Sequence, residues 1–250
     1  MDEVTRRLRR ECPWDREQDA PSIVPHTVEE AYELADAVHS GDDARQLDEL
    51  GDVLFQVHFL SLLLEERGAG DLEAVAEHCT EKLIRRHPHV FGQAQARDAA
   101  EVLRNWDSIK AGEPGRESGL FGEVPENLPS LLYARKHQRR AASSGFDFSD
   151  TDGAAESVRD QLAELTRTTS SDERFEALGE LLFATVNLAR TLAVDPELAL
   201  RAATHRFRTR MREAVAHAEA AGESWGELGA QRQLEHYAAA RLAAETRRSP

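Results

Sequence analysis

Leu50-Gly51-Asp52-Val53-Leu54-Phe55 opens the stretch that decides how this chain folds, because the pattern returns as Leu178-Gly179-Glu180-Leu181-Leu182-Phe183. Farther on, Lys82-Leu83-Ile84-Arg85-Arg86 has a counterpart in Arg206-Phe207-Arg208-Thr209-Arg210, at a similar distance past the shared glycine. Self-similarity on this scale marks an internal duplication, each copy being a supersecondary unit. Beyond Phe55 come Val57, Phe59, Leu60, Leu62, Leu63 and Leu64, a run so apolar that it reads as a helix buried nearly all round. With Gln56 and His58 inside it, Val53–Leu64 is too short to span a bilayer.

Working outward, 250 residues leave room for two ordinary domains. Ala, Leu, Glu and Arg dominate while strand formers are scarce, so the expected fold class is all-α. Helical periodicity, punctuated by Gly and Pro, predicts helices over 22–40, 43–67, 71–86 and 98–111, then 128–143, 153–168, 172–193, 196–220 and 227–246. Between Ala111 and Pro129 lie Gly112, Pro114, Gly115, Gly119, Gly122 and Pro125, a linker composition. The expected organisation is a first repeat over 1–112, a linker over 113–127 and a second repeat over 128–250.

A formal net charge of −15 repels phosphodiester backbones and anionic lipid. Nucleic acid and membrane are therefore not expected partners, and an anionic substrate would need metal cations. Cys12 and Cys79 are far apart and in no ligand spacing, as two unpaired thiols in a reducing compartment would be. Met1 to Glu11 is charged throughout and lacks the apolar stretch of a secretory signal, so a cytoplasmic location is expected.

Glu29, Glu30 and Glu33 fall early in one expected helix, and Glu30 with Glu33 at i and i+3 share a face. Glu49 and Asp52 repeat that spacing on the next helix, and the short connection at Gly41 and Asp42 implies antiparallel packing. Four carboxylates could then converge. Acidic residues on helices usually line a solvated face, but the apolar run after Asp52 argues that its carboxylate is buried and needs a cation, and no Lys or Arg lies within the run. Gly51 points the same way, since glycine inside a helix costs about 1 kcal/mol unless something must approach closely. Oxygen-only ligands select Mg²⁺ or Mn²⁺ over zinc, and magnesium suggests phosphate chemistry. Complementary charge is supplied by Lys82, Arg85, Arg86 and Lys110, which equally suit the carboxyl ends of their helices.

Glu29-Glu30-x-x-Glu33 followed by Glu49-x-x-Asp52 resembles the metal-binding signature of the MazG family of all-α nucleoside triphosphate pyrophosphohydrolases. The likeness continues in Cys12-Pro13-Trp14-Asp15 with Gln18, in Arg85-Arg86-His87-Pro88-His89-Val90-Phe91-Gly92 and in Asn105-Trp106. In the second half, Leu128-Pro129, Gly145-Phe146-Asp147 and Val186-Asn187-Leu188-Ala189-Arg190 resemble the carboxyl-terminal repeat of the long, two-repeat members. The resemblance implies tandem helical bundle repeats, with Glu30, Glu33, Glu49 and Asp52 as magnesium ligands and Mn²⁺ as a possible substitute. Glu29 would hold a second ion or orient the attacking water as a base. Lys82, Arg86 and Lys110 would meet the triphosphate, with Trp106 near the nucleotide. Trp14 would either shape the base pocket or anchor the amino terminus as an apolar plug.

The implied reaction is attack of water on the α-phosphorus of an NTP or dNTP, damaged and noncanonical ones included, with pyrophosphate leaving and magnesium supplying most of the electrostatic stabilisation. The implied assembly is a homodimer whose paired helices complete each bundle. The second repeat departs from the pattern: it reads Asp160-Gln161-Leu162-Ala163-Glu164, then Glu176-Ala177-Leu178-Gly179-Glu180. An amide and an alanine replace carboxylates, so magnesium should bind there weakly or not at all, leaving a scaffold. Two other classes compete. A di-iron carboxylate bundle would want paired Glu-x-x-His motifs, whereas only Asp36-x-x-His39 comes near. A non-catalytic nucleotide-binding scaffold suits the eroded repeat but leaves the intact first repeat unexplained. No G-x-x-x-x-G-K-[ST] stretch occurs, which removes a P-loop enzyme.

Overall fold

In the computed structural model, residues 1–113, 119–122, 124–148 and 150–246 are described, apart from the side chains of Ala100, Arg104, Asp107 and Ala111. Among them, regular structure is helical throughout: α1 (Asp2–Glu11), α2 (Pro13–Glu17), α3 (Ala20–Ser40), α4 (Asp43–Glu66), α5 (Leu72–Arg86), α6 (Pro88–Phe91), α7 (Ala99–Ala111), α8 (Ser130–Ser143), α9 (Thr151–Arg167), α10 (Ser171–Thr191), α11 (Pro196–Ala220) and α12 (Ala230–Thr246). The all-α expectation holds. Periodicity missed the short helices α1, α2 and α6, whose residues are too charged or too few to display a repeating apolar face. Pro114 and Gly115 of the expected linker lie outside the described residues, as does the end of the expected second repeat at 247–250. By backbone contacts the chain divides into unit 1, Met1–Asn127 with Lys136–Phe148, and unit 2, Leu128–Arg135 with Ser149–Pro250.

Unit 1 is organised by the α3–α4 hairpin. Asp19 and Ser22 close a reciprocal capping box that starts α3. Gly41, at φ +70°, ends it in the left-handed conformation that glycine alone adopts without strain. Asp42 then accepts from the backbone N–H groups of Ala44 and Arg45 to start α4. This two-residue reversal stacks the helices side by side. Ile23, Phe59 and Leu63 form the core between them, packed by Ala20, Phe55 and Leu60. Helix α1 is strapped across by Arg9, which donates to both oxygens of Glu66 and to the carbonyls of Asp15 and Gln18.

Unit 2 repeats the device. Asp150 caps α9, a Ser170–Glu173 capping box starts α10, and Ala154, Ala177, Ala184 and Val186 are buried. Arg232 donates to Glu223, and the buried His236 ring lies 2.6 Å from the same carboxylate, tying α12 to the end of α11.

One expectation fails. Helix α4 is not buried all round: Leu47, Leu50, Leu54 and Val57 form an open stripe, and Leu47 is 73% exposed. The apolar run measured total hydrophobicity, whereas the neighbours α1, α3 and α5 cover only part of the helix circumference. In unit 2, Phe175, Leu178 and Leu182 are exposed at the matching spacing.

Candidate metal centre

Glu30 comes from the middle of α3, and Glu49 and Asp52 from the start of α4. The Gly41–Asp42 reversal brings them together, with one carboxylate oxygen of each lying within 4.8 Å of the others. Glu49 is buried, Glu30 half-buried and Asp52 exposed. Burial, then the charges of Asp52, Glu33, Glu49 and Glu29, push the Glu30 carboxyl above its ordinary range. Arg45 Nε lies 3.5 Å from Glu49 Oε1, a partial counterweight from the same helix.

Three mutually repelling carboxylates fit a hard divalent cation, which would accept all of their oxygens and remove the repulsion. A testable consequence follows for stability. Glu30→Gln should melt in EDTA no earlier than the parent, because a repelled charge is gone, yet should lack the rise in melting temperature expected of the parent on adding Mg²⁺. Thermal melts with and without Mg²⁺ check this, and an equal Mg²⁺ response in both proteins would count against Glu30 as a ligand.

The remaining acids are placed differently. Glu33 is exposed and lies outside the group of three, although its charge reaches Glu30. Glu29 is exposed, with Oε2 3.7 Å from His26 Nδ1. Asp52 is not the buried carboxylate that the apolar run implied. It lies in an open groove of about 700 Å³ lined by Met1, Arg45, Asp48, Gly51 and Phe55. Gly51 is likewise not forced by close packing within the chain, since a Cβ there would meet nothing within 4 Å.

The expected phosphate-binding residues lie on α5 and α7, which pack together, and α5 also packs on α4. Lys82 and Arg86 are one turn apart on α5, and Trp106 and Lys110 one turn apart on α7; Lys82, Trp106 and Lys110 are half-buried. Arg86 is buried, donates to both oxygens of Glu113 and lies over the Trp106 ring at 5.4 Å. The His87 ring meets Trp106 edge-on at 4.8 Å. Arg86, with Arg85, holds Glu113 down at about 2. Sequence reading missed Glu113, which lies isolated beside Gly112 in a glycine- and proline-rich stretch. It also missed Arg45, whose i, i+4 spacing to Glu49 was visible. Trp14 is half-exposed and meets His26 edge-on at 5.8 Å, so it caps the outside of α3 rather than filling a core.

In unit 2, Ala177 is buried at the position matching Glu49, and Asp160, Glu164, Glu176 and Glu180 are exposed. Among the described residues they form no cluster like that of unit 1. No single helix among the described residues is long and apolar enough to cross a membrane.

Residues 18–91, which hold Glu29, Glu30, Glu33, Glu49 and Asp52 together with Lys82 and Arg86, match the model of the MazG nucleotide pyrophosphohydrolase domain. Over 203 residues the chain is 43% identical to a Thermotoga maritima protein named nucleoside triphosphate pyrophosphohydrolase/pyrophosphatase MazG, covering 81% of this chain and 78% of that one. An Escherichia coli K12 nucleoside triphosphate pyrophosphohydrolase is 39% identical over 209 residues, 81% of this chain and 80% of its own. A Mycobacterium tuberculosis protein of the same name is 34% identical over 141 residues, 56% and 43% of the two chains.

Proposed function

The chain belongs to the MazG nucleotide pyrophosphohydrolase family, and from that premise we propose that its unit 1 hydrolyses nucleoside triphosphates to the monophosphate and pyrophosphate, with Mg²⁺ held at the Glu30, Glu49 and Asp52 cluster. As a family member it is a hydrolase acting on acid anhydrides. The observation that carries the location is the convergence of those three carboxylates, against their erosion in unit 2. Glu33 completes the ligand set from the next turn of α3, and Mn²⁺ would substitute. When bound, the cation neutralises charge on the incoming and departing oxygens of an in-line displacement at the α-phosphorus.

The chain's own residues supply the rest. Glu29, exposed on the same helix, accepts the proton of the attacking water or helps to hold a second ion. Lys82, Arg86 and Lys110 take the negative charge of the triphosphate, and Trp106 offers a flat apolar surface near the base. Unit 2, with no such carboxylate cluster among its described residues, acts as scaffold. The activity is tested by pyrophosphate release from a panel of NTPs and dNTPs, noncanonical ones included, with Mg²⁺ and with EDTA. Monophosphate and pyrophosphate in equal amounts, only with metal, is the expected result; orthophosphate as first product would overturn attack at the α-phosphorus, and tight binding without turnover would favour the non-catalytic scaffold.

The assembly we propose is a homodimer in which a second copy covers the stripe of Leu47, Leu50, Leu54 and Val57. The stripe adjoins the groove that holds Asp52, and Gly51 beside it leaves room for an approaching chain. Leu50→Asp with Leu54→Asp should convert the dimer to a monomer in sedimentation or light scattering. The same pair should lower activity at least tenfold, because the groove would lose its cover. A parent chain that is already monomeric would contradict this assembly.

A further inference from the structure

Gln56 is 6% exposed, and its Oε1 is buried with no hydrogen-bond partner. A buried amide carbonyl with nothing to accept from is unfavourable, and such atoms in a folded protein call for an explanation. The register of α4 supplies one. Gln56 stands one turn after Asp52 and seven residues after Glu49, hence on the same stripe of the helix. Within the α3–α4 pair it falls between the carboxylate cluster and the core of Ile23, Phe59 and Leu63.

The second repeat shows what this hairpin needs for packing alone. Position for position, Glu49 and Gln56 correspond to Ala177 and Ala184, both buried, while Leu50, Gly51 and Phe55 keep their counterparts Leu178, Gly179 and Phe183. The glutamine has gone together with the carboxylate, and the α9–α10 hairpin forms with alanine in its place. Gln56 therefore goes with the ion site and not with the hairpin. Magnesium loses its hydration shell reluctantly, so three carboxylates leave it with waters whose protons need acceptors. Residues that accept from such waters orient the bound ion and tune its affinity.

Building on the metal reading above, we propose that Gln56 is a positioning residue of this site: its Oε1 accepts a hydrogen bond from a water of the hydrated cation that Glu30, Glu49 and Asp52 hold. Gln56 thereby strengthens the binding of that ion without touching it.

The test is a Mn²⁺ titration of the full-length chain without nucleotide, by calorimetry or electron paramagnetic resonance. It compares the parent with Gln56→Ala, the volume-preserving Gln56→Met, and Asp52→Asn. Both Gln56 variants are expected to bind Mn²⁺ roughly 10- to 100-fold more weakly, with parental circular dichroism and metal-free melting temperatures no lower than the parent's. Parental affinity in both would overturn the proposal and leave the metal site standing. Loss of the fold in both would assign Gln56 to helix packing and overturn it as well. A parent that binds no Mn²⁺ would remove the proposal together with the metal site.

Discussion

Asp52→Asn is expected to lower Mg²⁺-dependent pyrophosphate release by about 10³-fold or more, while Glu180→Gln leaves the rate within about twofold of the parent. The two positions are equivalent in the repeats and both are exposed, so neither substitution removes core packing and both proteins should melt close to the parent. What separates them is company. Asp52 has Glu30 and Glu49 within 4.8 Å, whereas buried Ala177 stands where Glu180 would need its partner. Replacing one anionic oxygen of a three-carboxylate group weakens the hold on a divalent ion, and catalysis resting on that ion falls with it. Steady-state rates and thermal melts on both variants check the prediction. Equal losses at Asp52 and Glu180 would mean that unit 2 works too.

Arg86→Ala should show two effects at once. Arg86 and Glu113 are paired through two hydrogen bonds at the junction of α5 and the end of α7, both largely shielded from water. Removing the arginine strands Glu113, and we expect a loss of roughly 2 kcal/mol. That is less than the ~3–5 kcal/mol typical of a broken buried pair, because the half-exposed Arg85 still faces Glu113 and keeps its charge partly compensated. The sign with pH is fixed by the acid. Glu113 is held at about 2 against an ordinary 4.5, so the pair's stabilisation is fully present above about 4.5, fades below it and is gone below about 2. Urea melts should therefore show parent and Arg86→Ala converging as the solution is acidified. The second effect is kinetic: KM for the triphosphate should rise at least tenfold if Arg86 also meets phosphate. An unchanged KM beside the stability loss would make Arg86 a structural residue alone.

The helices that organise the site were legible because they carry strong local signals. Gly41 followed by Asp42 announces the end of one helix and the start of the next, and the reversal they make is what brings Glu30 to Glu49 and Asp52. The erosion of the second repeat could likewise be read directly from Ala177. Burial was not legible, and this is where reading from the run Val53–Leu64 misled. Apolar content gives how much surface a helix would bury, but not whether this chain or another one covers it. Leu54 and Val57 stay open, and Asp52, placed by the same reasoning in a dry interior, faces a groove instead. The Arg86–Glu113 pair was hidden for another reason, since its partners are 27 residues apart and Glu113 lies in a stretch without periodicity. Contacts of that kind depend on where α5 and α7 meet, which no window of sequence contains.

The most direct measurement is hydrolysis of a nucleoside triphosphate in ¹⁸O-labelled water with Mg²⁺, followed by phosphorus NMR or mass analysis of both products. Water attacking the α-phosphorus predicts the label wholly in the nucleoside monophosphate, with unlabelled pyrophosphate and no product when metal is removed. Label in pyrophosphate or in orthophosphate would place the attack at another phosphorus and contradict the account.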